Sequence, residues 1–227
     1  KAEILLKSKN SENVSKGGAF FYPIISDILY HGHMTIDLNK AIRKIDFESW
    51  HHQIEGSFYT PSLVVAIYVA GKTWLGAAGM SDPRTHAQCS EETIFPIASI
   101  TKSMTAALVA RLVEEGAFDW LDPIKRHLPE FSLATDELTH QLTIYDILAN
   151  RSGLKANDWI WRDEAITRSM LAEQLKQIEP IAPLGELYTY NNILYGILGE
   201  LIERVTGMSW EAAMEAYIFK PLSITPF

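Results

Sequence analysis

The feature that most constrains this chain is a polar segment that runs directly into an amphipathic repeat. Pro96, Ser99 and Thr101 precede apolar residues spaced three and four positions apart, and this spacing predicts a helix. Its apolar stripe consists of Met104, Ala107, Leu108, Val109, Leu112 and Val113. Gly116 is predicted to end the helix. Ser99 and Lys102 are then three residues apart on its first turn, with their side chains on one face.

A serine followed three residues later by a lysine can carry out nucleophilic catalysis. The serine hydroxyl is a weak nucleophile until a base removes its proton. A lysine amine can act as that base only when it is neutral, a state that burial and the positive end of a helix both favour. The same helix end offers a backbone N–H to an oxyanion. The structural alternative is a helix N-cap serine followed by a solvated lysine. The surrounding sequence has to distinguish this alternative from a catalytic pair.

Further segments follow the Ser99 helix in an order that favours the catalytic interpretation. They are residues 121–124, 128–131, 142–148 with 151–154, and 188–192 with Tyr195-Gly196. Together with residues 95–116 they resemble the serine β-lactamase and penicillin-binding-protein family. The sequence is most similar to its class C branch, with the related esterases and acyltransferases. The resemblance runs from about Ser62 to Leu222, which is most of the chain.

The resemblance implies a catalytic set. Ser99 would be the nucleophile, Lys102 and Tyr190 would take its proton, and Asn192 would hold the acyl group. Because Tyr190 and Asn192 flank a single residue, an extended segment would point both side chains the same way. No metal or organic cofactor is implied, since the lysine and tyrosine do the proton work.

Two tryptophans are further candidates for the pocket. The resemblance puts Trp159 and Trp161 near its mouth, where either could line it and contact substrate. Ordinary hydrophobic packing is the alternative for both residues.

The implied fold is α/β (α+β) and β-lactamase/transpeptidase-like, with an antiparallel sheet subdomain and a helical subdomain. Residues 1–95 would form the N-terminal part of the sheet subdomain, including a hairpin from 62–69 and 73–78. Residues 96–208 would form the nucleophile helix and the helical subdomain. The latter includes a helix at 166–178, with Met170, Leu171 and Leu175 on one face, and a helix from Asn192 to Gly207. Residues 209–227 would be a return helix.

A third motif of the family, Lys/His-Ser/Thr-Gly on a strand near the C-terminal end of the fold, has no match. Residues 151–153 and 205–207 have similar residue types, but both are predicted at helix ends. We therefore expect that the C-terminal strands of the sheet are missing from these 227 residues. A fragment of this kind is predicted to show little turnover alone, and its open sheet edge would favour self-association.

Composition narrows the remaining classes. The net charge of −8 argues against nucleic acid and an anionic membrane surface as partners. The sequence contains no run of 18 apolar residues, so no membrane span is predicted. The single Cys89 excludes an internal disulfide. The close histidine pairs are expected to be ordinary surface residues rather than metal ligands. They are His31 with His33 and His51 with His52. The compartment stays open, with the cytoplasm favoured because no signal peptide is visible.

Three functions remain to be compared. The first is a serine hydrolase or acyltransferase that acts on a small-molecule ester or amide. The second is a degenerate homologue or fragment that binds a ligand or partner without turnover. The third, a Ser-His-Asp hydrolase, is disfavoured because the chain contains no Gly-x-Ser-x-Gly motif.

Overall fold

The computed structural model describes residues 46–49, 51–52, 60–69, 71–156 and 168–225. The chain divides into two units, residues 1–95 and 96–227. The pocket candidates Trp159 and Trp161 lie outside the described residues, as does most of the N-terminal segment. Within the described part of the chain, no helix is both long enough and apolar enough to span a membrane.

The first unit contains a small antiparallel sheet. Strand β1 (Ser62–Val69) pairs with β2 (Lys72–Asp82) in the register Ser62↔Gly79 to Val69↔Lys72, so the predicted hairpin is confirmed. Gly71 has a φ of +79° in the connecting turn, a conformation that glycine adopts without steric cost. β2 extends beyond the predicted range and pairs at its end with a short strand β3 (Ala87–Gln88). Two residues are too few to produce a readable alternation, so β3 was not predicted.

The prediction that the histidine pairs lie on the surface is wrong for His51. Its side chain is buried, and its Nε2 lies 2.8 Å from the carbonyl oxygen of Thr60. This hydrogen bond satisfies the polar edge of the ring inside the first unit. His52 is exposed as expected, and the other pair lies outside the described residues.

The second unit is helical in its described residues. Helix α1 (Ile100–Glu114) follows Ser99, and short helices α2 (Ile124–His127), α3 (Asp136–Gln141) and α4 (Ile144–Leu148) come next. Then come α5 (Arg168–Leu175), α6 (Asn192–Thr206) and α7 (Trp210–Met214), and α7 continues as a π-helical turn, Glu215–Phe219. The helices predicted after Pro96 and from Asn192 are confirmed.

Helix α6 lies at the centre of the core. Asn191 caps its start by accepting a hydrogen bond from the Leu194 N–H, and Gly207 ends it with a φ of +68°. Its fully buried side chains are Ile193, Leu194, Ile197, Leu198, Leu201 and Ile202. The same core takes Leu108, Val109 and Leu112 from α1 and Ala213, Met214 and Ile218 from the C-terminal helices. Residues 209–225 thus pack on the helical unit. The separate return segment at 209–227 stays a prediction.

The predicted apolar face of α5 is partly wrong. Leu175 is buried, but Met170 is 51% exposed. With 3.6 residues per turn, five residues amount to about 140° around the helix axis, so these two side chains cannot share a face.

Two loops of the second unit are joined by backbone hydrogen bonds. The Ile181 N–H donates to Gly153 O at 2.8 Å, and the Gly185 N–H donates to Arg151 O at 2.8 Å. Gly153 has a φ of +75°, and a Cβ there would lie 2.1 Å from Ala182 O, so only glycine fits this crossing. The joined loops lead directly into the segment that carries Tyr190.

Candidate active site

Ser99 occupies the N-cap position of α1, but its side chain makes no capping hydrogen bond within the described residues. The N-cap alternative is therefore not realised, and the hydroxyl is exposed at the start of the helix. The residue before it, Ala98, has a φ of +45°, in the left-handed region that is unfavourable for alanine. Backbone strain of this kind is concentrated at functional sites.

Lys102 lies one turn along α1 and faces Ser99, as its spacing predicts. Its Nζ is 3.4 Å from Ser99 Oγ and 2.5 Å from Asn192 Oδ1. The amine therefore bridges the start of α1 and the start of α6, through two residues that are 90 positions apart in sequence. Short contacts between an ammonium group and an amide oxygen are charge-assisted hydrogen bonds.

Tyr190 completes the cluster from the segment before α6. Its hydroxyl donates to Ser99 Oγ at 2.6 Å. A hydroxyl can rotate to donate or accept, so the same contact can carry a proton in either direction. The neighbouring candidate Tyr188 is 69% exposed.

Tyr195 belongs to the site although the sequence interpretation did not include it among the site residues. The Lys102 Nζ lies 4.8 Å from the centre of the Tyr190 ring and 5.3 Å from the centre of the Tyr195 ring. The Tyr195 hydroxyl donates to Leu148 O at 3.1 Å. Burial raises the pKa of Tyr195, as do the neighbouring Tyr190 and Tyr188, so its phenol stays neutral. Its spacing of three from Asn192 on a helix is the signal that could have found it.

A cavity of about 260 Å³ opens beside Lys102 within the second unit. Gly196 and Gly199 contribute no side chains to its wall, which leaves room opposite the first turns of α1. Its lining residues are Ala98, Thr101, Lys102, Thr105, Tyr195, Gly196, Gly199, Trp210 and Glu211.

The described residues bring together four of the predicted side chains: Ser99, Lys102, Tyr190 and Asn192. The polar groups that meet are a hydroxyl, an amine, a phenol and an amide. Such a group can move protons and hold a carbonyl. Within the described part of the chain, no three His, Cys, Asp or Glu side chains group as metal ligands would.

Comparison with known proteins identifies the family. The model of the family described as Beta-lactamase matches residues 52–226. The unguisins hydrolase ungD of Aspergillus violaceofuscus is 28% identical over 189 residues, a match that covers 79% of this chain and 33% of that protein. Penicillin-binding protein 4 of Amycolatopsis lactamdurans is 25% identical over 185 residues, with 79% of this chain and 48% of that protein covered. The chain thus spans about a third to a half of the length of these curated relatives.

A solved structure supports the same assignment. The octameric penicillin-binding protein homologue from Pyrococcus abyssi superposes with a TM-score of 0.69 at 25% identity, covering 83% of this chain and 43% of that one. The antiparallel sheet and helical unit thus correspond to the β-lactamase/transpeptidase-like fold. With its family model matched over more than half of its length, this chain belongs to the β-lactamase family.

Proposed function

We propose that this protein is a serine hydrolase or acyltransferase that acts on an ester or amide through an acyl-enzyme on Ser99. The observation that carries the proposal is the pair of contacts at Ser99 Oγ, with Tyr190 Oη at 2.6 Å and Lys102 Nζ at 3.4 Å. Activation of the serine needs an adjacent base within hydrogen-bond reach, and the Tyr190 oxygen meets that requirement, with the Lys102 amine close by.

The Tyr190–Lys102 pair acts as the base in its ion-pair form, with a phenolate on Tyr190 and an ammonium group on Lys102. In the acylation step, Ser99 Oγ attacks the carbonyl carbon of the substrate, and its proton passes to the phenolate oxygen. Lys102 stabilises the charge on that oxygen, because its ammonium group lies over the Tyr190 ring and beside Ser99. The tetrahedral intermediate collapses when the bond to the leaving alcohol or amine breaks, and the proton held by the Tyr190–Lys102 pair goes to that leaving group. Water or another acceptor then repeats the sequence on the acyl-enzyme.

Asn192 has a double role in this proposal. Its Oδ1 accepts from Lys102 Nζ at 2.5 Å, which fixes both the amine and the orientation of the amide. In this proposal the amide nitrogen of Asn192 would donate to the carbonyl group of the substrate. The backbone at the start of α1 would supply an N–H for the oxyanion.

Hydrolysis is the reaction that the comparisons support most directly. The fungal relative that is 28% identical is named a hydrolase of unguisins. We carry over only the reaction class, because the match covers 33% of that protein. Transfer of the acyl group to an acceptor other than water uses the same acyl-enzyme.

Covalent labelling of the purified protein by a fluorophosphonate, followed by intact-mass spectrometry, tests the proposal. We expect one adduct on the wild type and none on Ser99→Ala, with a strongly slowed reaction for Lys102→Ala. Ser103→Ala is the matched control, because Ser103 lies on the same helix but its hydroxyl bonds to the Ile100 carbonyl. A folded wild type that forms no adduct would favour a protein that binds its ligand without turnover.

A further inference from the structure

Tyr190 lies in a segment without regular secondary structure, so its position depends on the contacts of its neighbours. The residues on both sides of it donate their backbone N–H groups to Asn150. The Thr189 N–H reaches Asn150 O at 2.8 Å, and the Asn191 N–H reaches Asn150 Oδ1 at 3.1 Å. One residue thus holds the peptide groups that flank the catalytic tyrosine.

Asn150 is itself held in a fixed conformation. It follows α4, its N–H donates to Ile147 O at 3.0 Å, and its φ is +53°. Asparagine is among the few residues other than glycine that adopt this left-handed conformation readily. The side chain is buried, so its hydrogen bond to Asn191 is shielded from competing water.

We infer that Asn150 is a positioning residue for the catalytic hydroxyl, an inference that rests on the function proposed above. By holding Thr189 and Asn191, it fixes the backbone at which Tyr190 Oη meets Ser99 Oγ at 2.6 Å. The same hold places Asn192, the next residue, against Lys102. Asn150 touches neither of these polar groups and acts through the backbone of the segment.

Two substitutions distinguish the effect of the Asn150 side-chain acceptor from that of its left-handed backbone conformation. Asn150→Gly keeps the left-handed φ but removes the Oδ1 acceptor. Asn150→His keeps an acceptor nitrogen at the δ position and tolerates the same φ. We expect the rate constant for fluorophosphonate labelling at Ser99 to fall about 10- to 100-fold in Asn150→Gly, with binding of the reagent nearly unchanged. Asn150→His should recover most of the rate.

Thr135→Ala is the control for a general loss of stability. It removes the side-chain acceptor of the Leu138 N–H at the start of α3, outside the site, so it should lower the thermal midpoint without slowing the labelling. A crystal structure of Asn150→Gly gives a readout that needs no activity. We expect Tyr190 Oη to move beyond hydrogen-bonding distance of Ser99 Oγ.

Either of two results would overturn the inference. Asn150→Gly could be labelled at the wild-type rate, or its crystal structure could keep the 2.6 Å contact between Tyr190 and Ser99. Failure of the proposed function is distinguishable, because the wild type itself would then remain unlabelled at Ser99. In that case the distance between Tyr190 Oη and Ser99 Oγ in the crystal structure of Asn150→Gly still shows whether Asn150 positions Tyr190.

Discussion

Replacement of Asp146 tests how much one buried carboxylate contributes to the free energy of unfolding. Asp146 is 4% exposed, and its carboxylate accepts three hydrogen bonds. Oδ2 accepts from the Thr143 N–H at 3.1 Å and from Thr143 Oγ1 at 2.6 Å, and Oδ1 accepts from Arg151 Nε at 2.8 Å. The first of these belongs to the capping box at the start of α4, in which Thr143 Oγ1 also accepts from the Asp146 N–H.

The expected cost follows from these contacts. Each hydrogen bond to the carboxylate contributes about 1 kcal/mol, so Asp146→Ala should lower the free energy of unfolding by about 3 kcal/mol. Asp146→Asn retains one acceptor oxygen, so it loses the hydrogen bond to Arg151 or the bonds to Thr143, but not both. We therefore expect its free energy of unfolding to fall by about half as much as that of Asp146→Ala. For a chain of this size, about 3 kcal/mol corresponds to about 6–12 °C in the thermal midpoint.

Urea denaturation followed by circular dichroism measures both variants against the wild type. Tyr145→Phe is a suitable control, because Tyr145 is the exposed neighbour of Asp146 on α4. A loss below about 1 kcal/mol for Asp146→Ala would contradict the prediction, since the capping box and the Arg151 contact would then contribute less together than one ordinary hydrogen bond.

Three further predictions concern the site, the acid stability and the core. Tyr190→Phe should slow fluorophosphonate labelling at Ser99 by about 10²- to 10⁴-fold with little change in thermal midpoint, because it removes the hydroxyl 2.6 Å from Ser99 Oγ, and intact-mass spectrometry measures the labelling rate. Burial alone would raise the pKa of Asp122, but hydrogen bonds from Asp119, His127 and Arg126 outweigh it and lower that pKa. The stability contributed by Asp122 is therefore present above its unfolded pKa and lost as the pH falls through its folded pKa. In urea titrations, the difference in free energy of unfolding between the wild type and Asp122→Asn should become smaller below about pH 4. A difference that stays constant with pH would contradict this. Leu198→Ala should cost about 2–5 kcal/mol in urea denaturation, because Leu198 is fully buried at the centre of α6, whereas the exposed Leu222→Ala should cost far less.

The sequence predicted those parts of the site that depend on local spacing. Ser99 and Lys102 lie three residues apart on a helix whose apolar repeat is readable, and the structure has them facing each other. That Tyr190 and Asn192 belong to the same site came from the family resemblance, because no periodicity relates residues 90 positions apart. The contact between Tyr190 and Ser99 is a consequence of how α1 and α6 pack.

Other features were beyond sequence reasoning for identifiable physical reasons. Asn150 reads as an ordinary loop residue, and only the fold reveals that two backbone N–H groups converge on it. His51 is buried because Thr60, nine residues later, returns to accept its hydrogen bond. The error at Met170 was avoidable, since five residues of helix separate its face from that of Leu175.

The most direct test of Ser99 as the nucleophile is to find where an acyl group is bound during turnover. The purified protein is mixed with an activated ester such as p-nitrophenyl acetate, quenched in acid within the first turnovers and digested for peptide mapping by mass spectrometry. If Ser99 is the nucleophile, the acyl group accumulates on Ser99 in the wild type and is absent from Ser99→Ala. Turnover of the ester with Ser99 unmodified, or unchanged turnover by Ser99→Ala, would contradict it.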